Sequence, residues 1–178
     1  MLAHWIDTWG STPAERSKLY PCDALLPSPR RELFRAVTIA APPPTVFRWL
    51  CQMRTAPYSY DLIDNGGRCS PRTLTPGLEA LEVGQPVMRI FALRSFVKDE
   101  HITLELTDGG AIRVFGKLSV SYVVEPLADG NSTRLVAKLA LAAKDESWLV
   151  RLRRHLLAAG DLFMMRKQLL TFKELAEA

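Results

Sequence analysis

The chain has few of the residues that build metal centres or disulfide-bonded frameworks. Its 178 residues include three cysteines and three histidines, which are widely spaced and form no CxxC pair. Structural zinc sites and small secreted domains need cysteine and histidine at short, regular spacings. We therefore expect no metal site, and the odd number of thiols favours a reduced, cytoplasmic setting.

Long apolar runs and the common catalytic motifs are also missing. No stretch approaches the ~18 apolar residues of a membrane span, and no basic region followed by an apolar run opens the chain, so we expect neither a membrane span nor secretion. The sequence has no Gly-x-Ser-x-Gly elbow, and residues 64–68 match neither phosphate-binding glycine fingerprint. Covalent catalysis and nucleotide cofactors are not predicted, and we expect no cofactor.

The charges are nearly balanced and the composition is that of an ordinary globular protein. Lysine and arginine number 23 against 19 acidic residues, and 48% of the residues are hydrophobic. No basic stripe interleaved with aromatic residues is present, so no nucleic-acid partner is predicted. We expect one domain over residues 1–178, with a lead-in over residues 1–30 and a core over about 31–177. The oligomeric state cannot be predicted from these features.

Proline divides the first part of the chain into short segments. The spacing of Thr12 and Glu15 is that of a capping box, with Pro13 at the first helical position, and it predicts a short helix. Residues 20–30 contain three prolines and are predicted to be extended. The β-branched run over 35–40 predicts a strand that ends at the next prolines.

A short helix and a long irregular segment follow. Apolar residues recur at three- and four-residue intervals over 45–53, which predicts an amphipathic helix whose apolar side includes Trp49 and Met53. Residues 54–81 carry several prolines and glycines and show no periodicity. Long loops of this kind often carry function.

The second half of the chain predicts an antiparallel meander and then one long helix. Strand-like runs cover residues 87–91, 96–106, 111–126 and 132–143, and the sequences DGG at 108–110 and DGN at 129–131 predict tight hairpins. Alternation in the third run predicts one buried and one solvent-exposed face of the sheet. Residues 145–177 predict a helix with an apolar stripe. The stripe consists of Leu149, Leu152, Leu156, Ala159, Phe163 and Leu170.

This order of elements and three stretches of sequence resemble the START-like superfamily, also called SRPBCC or the polyketide cyclase/dehydrase and lipid-transport group. The stretches are RAVTIAAPPPTVFRWL at 35–50, YSYD at 58–61 and LEVGQPV at 81–87, and the last two are similar to a bacterial branch. The chain departs from that branch at Gln85, where aspartate is favoured, and in the loop that follows Asp61. The resemblance covers about residues 23–177. It implies an α+β helix-grip fold, in which a curved antiparallel sheet wraps a long C-terminal helix.

A helix laid on a bent sheet tends to leave an apolar cavity between them, so we expect a small hydrophobic ligand to bind there or to be carried there. Such a ligand would be a lipid, a polyketide or an aromatic molecule. The expected lining is Met88, Phe91, Phe96, Leu104, Val114, Leu118, Phe163, Met164 and Met165. The expected mouth, where a polar head group would lie, consists of Trp49, Met53, Tyr58, Tyr60 and Asp61. Each of these residues would serve equally well in an ordinary core or as a lid.

Two other functions stay open. A cyclase or dehydratase would need acid and base groups inside the cavity, and His101 with Glu105 or Tyr122 is the best pair available. Polar residues at alternate positions 99–105, however, favour a solvent-facing His101. A partner-binding regulatory module would dock through an exposed apolar patch on residues 54–81.

The last helix is basic on its polar side. The basic residues are Arg151, Arg153, Arg154, Arg166, Lys167 and Lys173. Such a side is usually solvated, and it also fits weak contact with an anionic membrane surface.

Overall fold

The computed structural model describes residues 2–142 and 148–178, without the side chains of residues 2–4, 63, 64, 148–159 and 161. The strands are β1 (Arg31–Ile39), β2 (Pro86–Val87), β3 (Phe91–Val97), β4 (His101–Leu106), β5 (Leu118–Pro126) and β6 (Thr133–Leu141). The helices are α1 (Leu2–Thr8), α2 (Pro13–Arg16), α3 (Pro21–Leu25), α4 (Pro43–Cys51), α5 (Asp61–Asp64), α6 (Gly109–Phe115) and α7 (Trp148–Ala176), with a 3₁₀ turn at Gln52–Arg54.

The strands form one curved antiparallel sheet against which the C-terminal helix packs. Their order is β1-β6-β5-β4-β3-β2, so the first strand closes the meander beside the last. This arrangement confirms the predicted α+β helix-grip architecture. The capping box at Thr12 and Glu15 is also present, with the Glu15 backbone N–H donating to Thr12 Oγ1 at 3.2 Å.

Strand register decides which side chains face α7. We call that side of the sheet the inner face, because its residues belong to the main hydrophobic core. A bulge between Leu93 and Ser95 keeps both Leu93 and Phe96 on the inner face of β3. One row crosses five strands through Arg35, Ala137, Tyr122, Ile102 and Phe96.

The lead-in covers the outer face over β5 and β6, so the prediction of a solvent-exposed face was wrong for that part of the sheet. The Cys22 backbone N–H donates to Ser121 Oγ at 2.8 Å, and Ser119 Oγ donates to the Cys22 carbonyl at 3.2 Å. Small hydroxyl side chains let α3 approach closely and supply its hydrogen bonds. Of residues 20–30, which were predicted to be extended, residues 21–25 are helical; Pro21 allows this because it occupies a first-turn position, where its missing N–H costs nothing.

The predicted strand over 111–126 begins only at Leu118. The Asp108 carboxylate accepts a hydrogen bond from the Ala111 N–H at 2.7 Å and caps α6, so the DGG sequence starts a helix instead of a hairpin. Val114, predicted on the inner face of a strand, therefore lies on α6 with 44% of its surface exposed. The second predicted hairpin does join β5 to β6, with Gly130 at φ +68°.

Two further runs predicted as continuous strands contain turns. Asp99, at φ +63°, lies in the turn between β3 and β4, and Met88 and Arg89, at +48° and +65°, lie in the turn between β2 and β3. Residues other than glycine seldom adopt this backbone region. Because these positions are not glycine, nothing in the sequence marked the two turns.

The described half of α7 buries a different stripe from the predicted one. Its buried apolar residues are Leu162, Met165, Leu169, Phe172 and Leu175. Phe163 is 64% exposed because the helix is rotated by about one residue from the predicted register. The predicted start of the helix at Asp145 and the side chains of Leu149, Leu152, Leu156 and Ala159 lie outside the described residues.

Candidate functional site

A buried amide on α7 joins the helix to the sheet and to the irregular segment. Gln168 is 4% exposed, and its Oε1 accepts a hydrogen bond from the Tyr122 hydroxyl at 2.7 Å. Its Nε2 donates to the Pro57 carbonyl at 2.6 Å and lies 3.8 and 3.6 Å from the sulfurs of Met53 and Met88. One polar group inside the core thus has partners on three elements, which fixes their relative positions.

The predicted cavity residues on the inner face belong to the same hydrophobic core, with different degrees of burial. Leu104 is fully enclosed in the core. Met88, Phe91, Phe96 and Leu118 pack at the margin of the core and keep part of their surface accessible. The inner face and α7 therefore combine apolar surface with few buried polar groups, among them the Tyr122–Gln168 pair, and this composition is typical of small-molecule pockets.

Tyr58 separates the core from the surface of the irregular segment. It is 1% exposed, and its ring centroid lies 6.1 Å from that of Trp49 and 5.4 Å from that of Phe172. Burial raises the pKa of Tyr58, against the opposing influence of the nearby Thr55 hydroxyl. Within the described ranges the Tyr58 hydroxyl is fully buried and makes no hydrogen bond of normal geometry, and the Thr55 hydroxyl lies beside it.

A pocket of about 230 Å³ opens between the irregular segment and α7, with Tyr58 in its wall. We call it the mouth pocket. Asp61 lines this pocket, but both oxygens of its carboxylate already have a hydrogen-bond donor in Ser70. One oxygen accepts the Ser70 backbone N–H at 2.7 Å, and the other accepts the Ser70 hydroxyl. Lys167 lines the opposite wall, and Arg72 lies at the edge, paired with Glu174.

Two predicted site residues stack on the surface next to this pocket. The rings of Tyr60 and Phe163 lie 5.2 Å apart and are nearly parallel. Phe163 was predicted to line the interior, and its exposure places it outside instead. Met164 lies beside the pocket as well, with its sulfur 3.9 Å from Ser59 Oγ, whereas Met165 belongs to the core.

The three candidate catalytic side chains do not come together. Tyr122 is on the inner face, and the strand register places His101 and Glu105 on the outer face. Glu105 accepts a hydrogen bond from Arg94 at 2.6 Å. His101 lines a separate outer pocket of about 530 Å³. Burial lowers the pKa of His101, against the opposing charge of Glu100.

The variant His101→Gln is expected to lose less stability on acidification than the wild type. Because the folded state lowers the pKa of His101, the unfolded chain binds this proton first as the pH falls from about 8 to about 5. The wild type therefore loses stability in that window that the variant keeps. Urea unfolding of both proteins at each pH measures the difference, and equal losses would contradict the assigned environment.

Sequence reasoning missed two inner-face residues, Arg35 and Gln168. Arg35 is fully buried and shares its face with Val37 and Ile39, so the alternation along β1 was the signal that could have found it. Gln168 follows Met165 by three residues and interrupts the buried side of α7. The signal for Gln168 was a polar residue within an apolar stripe. It could be recognised only once the side of α7 that is buried was known.

The described residues give little geometric support for a metal site, a membrane span or a nucleophilic cysteine. No group of histidine, cysteine or acidic residues there is arranged to hold a metal, and none of the helices described is long and apolar enough to cross a bilayer. Burial raises the pKa of the Cys51 thiol to about 12, which makes it a poor nucleophile.

Two of the basic residues of α7 whose side chains are described make separate local contacts. Arg166 lies over the Trp9 ring at 5.5 Å, and Lys173 donates to the Thr38 carbonyl at 2.9 Å. The side chains of Arg151, Arg153 and Arg154 lie outside the described residues.

Comparison with known proteins finds solved structures with a similar fold. No protein-family model and no curated protein sequence matches the chain. Solved structures from Nitrosospira multiformis, Arthrobacter aurescens and Thermobifida fusca are similar to it, with TM-scores of 0.52, 0.53 and 0.52 and sequence identities of 12%, 12% and 13%. The matches cover 82%, 82% and 80% of this chain and 95%, 85% and 91% of those chains. At such identities the likeness shows the fold alone.

Proposed function

We propose that the chain is a START-like protein that binds or carries a small, largely apolar molecule between the inner face and α7. The observation that supports this most is the buried Tyr122–Gln168 pair, with Met53, Met88 and partly buried aromatic side chains around it. Apolar walls would take the body of the ligand, and the hydroxyl and amide would orient it. Binding is preferred to catalysis because His101 and Glu105 lie on the outer face, which leaves only Tyr122 of the candidate acid–base groups on the inner face.

The residues around Gln168 are suited to repacking when a ligand enters. Met53 and Met88 have flexible, unbranched side chains that adapt to different shapes. The Met88 N–H donates to the Met53 carbonyl at 3.1 Å, so the β2–β3 turn and the irregular segment meet at this point. A ligand that displaces the Gln168–Pro57 hydrogen bond would separate the β2–β3 turn from the irregular segment. It would then reach the inner face through the gap between these two elements.

A ligand screen by thermal unfolding and native mass spectrometry tests the proposal. The panel contains lipids, polyketides and aromatic molecules. At a hundred times its Kd, a ligand of the folded state stabilises it by about 2.7 kcal/mol. For a chain of this size that corresponds to a rise in Tm of roughly 5–10 °C.

A pair of tryptophan variants shows whether the ligand lies on the inner face. Leu118→Trp fills space beside the partly buried aromatic side chains and is expected to abolish the ligand-induced rise in Tm. Val114→Trp, on the exposed side of α6, adds the same bulk and should keep it. Failure of the whole panel to bind, or full binding by Leu118→Trp, would contradict the proposal.

A further inference from the structure

Among the side chains that the structure describes, the mouth pocket contains one cation without a counter-ion, Lys167. Lys167 is half-buried, and in the described part of the chain its ammonium forms neither an ion pair nor a hydrogen bond. The other cation, Arg72, is paired with Glu174, and both side chains are about 60% exposed. An ammonium that lines a pocket favours an anionic ligand, because the two form a charge-assisted hydrogen bond.

Asp61 is a poor counter-ion for Lys167. Its two oxygens are turned to the Ser70 backbone N–H and hydroxyl, and the backbone carbonyl of Asp61 also accepts the Gly67 N–H at 2.8 Å. These bonds close the loop over residues 61–70 on itself. The carboxylate therefore holds the pocket wall in shape and leaves the opposite wall free to bind a ligand.

Tyr58 supplies an independent sign of a ligand site in the same pocket. Its hydroxyl is buried in the inner wall and makes no hydrogen bond of normal geometry within the described ranges. A phenol is a good donor to an anionic oxygen, as is the Lys167 ammonium. Lys167 and Tyr58 thus line one pocket from two different elements, and each side chain can donate to a ligand oxygen.

The size of the mouth pocket limits what it can hold. At about 230 Å³ it is smaller than the pockets of roughly 300–1,000 Å³ that enclose whole drug-sized ligands. A carboxylate or phosphate group fits this volume, but a complete lipid or polyketide does not. The rest of such a ligand would pass Tyr58, whose other side contacts Phe172 in the core.

We infer that the mouth pocket binds the carboxylate or phosphate head of an amphipathic ligand, with Lys167 as counter-ion and the Tyr58 hydroxyl as second donor. The inference rests on the proposed function, because the apolar body of the ligand lies against the inner face. It assigns the head group to a cation on α7 instead of to Asp61.

Matched acid and alcohol probes test the inference by calorimetry. The probes are dodecanoic acid with dodecanol, naphthylacetic acid with naphthylethanol, and dodecyl phosphate. Each anion is expected to bind about tenfold more tightly than its alcohol, and Lys167→Met should remove that advantage while leaving the alcohols unchanged. Lys98→Met, which deletes the same charge in the exposed β3–β4 turn, is the matched control and should change nothing. The tighter of dodecanoate and dodecyl phosphate identifies the preferred head group.

The possible failures are distinguishable. Equal affinities within each acid–alcohol pair, or equal effects of Lys167→Met and Lys98→Met, would overturn the head-group inference and leave the proposed function standing. If none of the five probes binds, the proposed function itself is contradicted. Added salt gives a second readout on the unmodified protein, because it should weaken the anions and not the alcohols.

Discussion

Replacing Phe172 with alanine is expected to lower the free energy of unfolding by about 3–5 kcal/mol. Phe172 is fully buried, and its ring contacts Tyr58 between α7 and the irregular segment. Truncation leaves a cavity that the surrounding strands and α4 cannot close without losing their own packing. Urea unfolding followed by circular dichroism measures the loss.

Phe163 provides the matched control on the same helix. It is the same residue type, but it lies on the exposed side of α7, and its ring stacks on that of Tyr60. Phe163→Ala should cost about 0.5–1.5 kcal/mol, the worth of one aromatic pair. Equal losses for the two variants would show that α7 does not pack in the orientation described. The buried side of the helix would then include Phe163, as the sequence pattern predicted.

Replacing Gln168 with leucine is expected to cost about 1–3 kcal/mol. The change leaves the buried Pro57 carbonyl without its donor and removes the acceptor of the Tyr122 hydroxyl. Leucine has nearly the same volume as glutamine, so the loss reports hydrogen bonding and not a cavity. Chemical denaturation of the purified variant provides the number.

A double-mutant cycle with Tyr122→Phe measures the coupling energy between Tyr122 and Gln168. Once Gln168 is leucine, the Tyr122 hydroxyl gains little from that partner, so the second change should cost less than it does in the wild type. Losses that add to within about 0.5 kcal/mol would mean that the two side chains are not coupled. The polar anchor that we propose for the ligand would then have no energetic support.

Local signals in the sequence were sufficient for most of the architecture. The capping box of α2, the turn at Gly130 and the C-terminal end of α7 depend on neighbouring residues and were predicted. The DGG sequence was misleading because aspartate starts helices as readily as it starts turns. The turn at Asp99 gave no signal, since the tertiary structure holds that residue in a backbone region it seldom adopts.

The candidate site was predictable only in part. Tyr58 and Asp61 were assigned to a ligand mouth from their place in an irregular segment, and they line a pocket there. Whether they contact a ligand stays a prediction. Lys167 and Gln168 are neighbours in sequence, yet one faces the mouth pocket and the other the core, a difference set by the rotation of α7. Adjacent apolar residues at 162 and 163 left that rotation undecided.

Methyl NMR of the methionines tests the central claim most directly. The chain has five methionines, and with ¹³C-methyl labelling Met53 and Met88 can be assigned by single substitution to leucine. Both sulfurs lie beside the Gln168 amide, between the sheet and α7. A fatty acid with a nitroxide on its chain should broaden these two methyl resonances as it saturates the protein. A saturated complex that leaves both unchanged, with broadening confined to Met164 at the surface, would contradict ligand binding on the inner face.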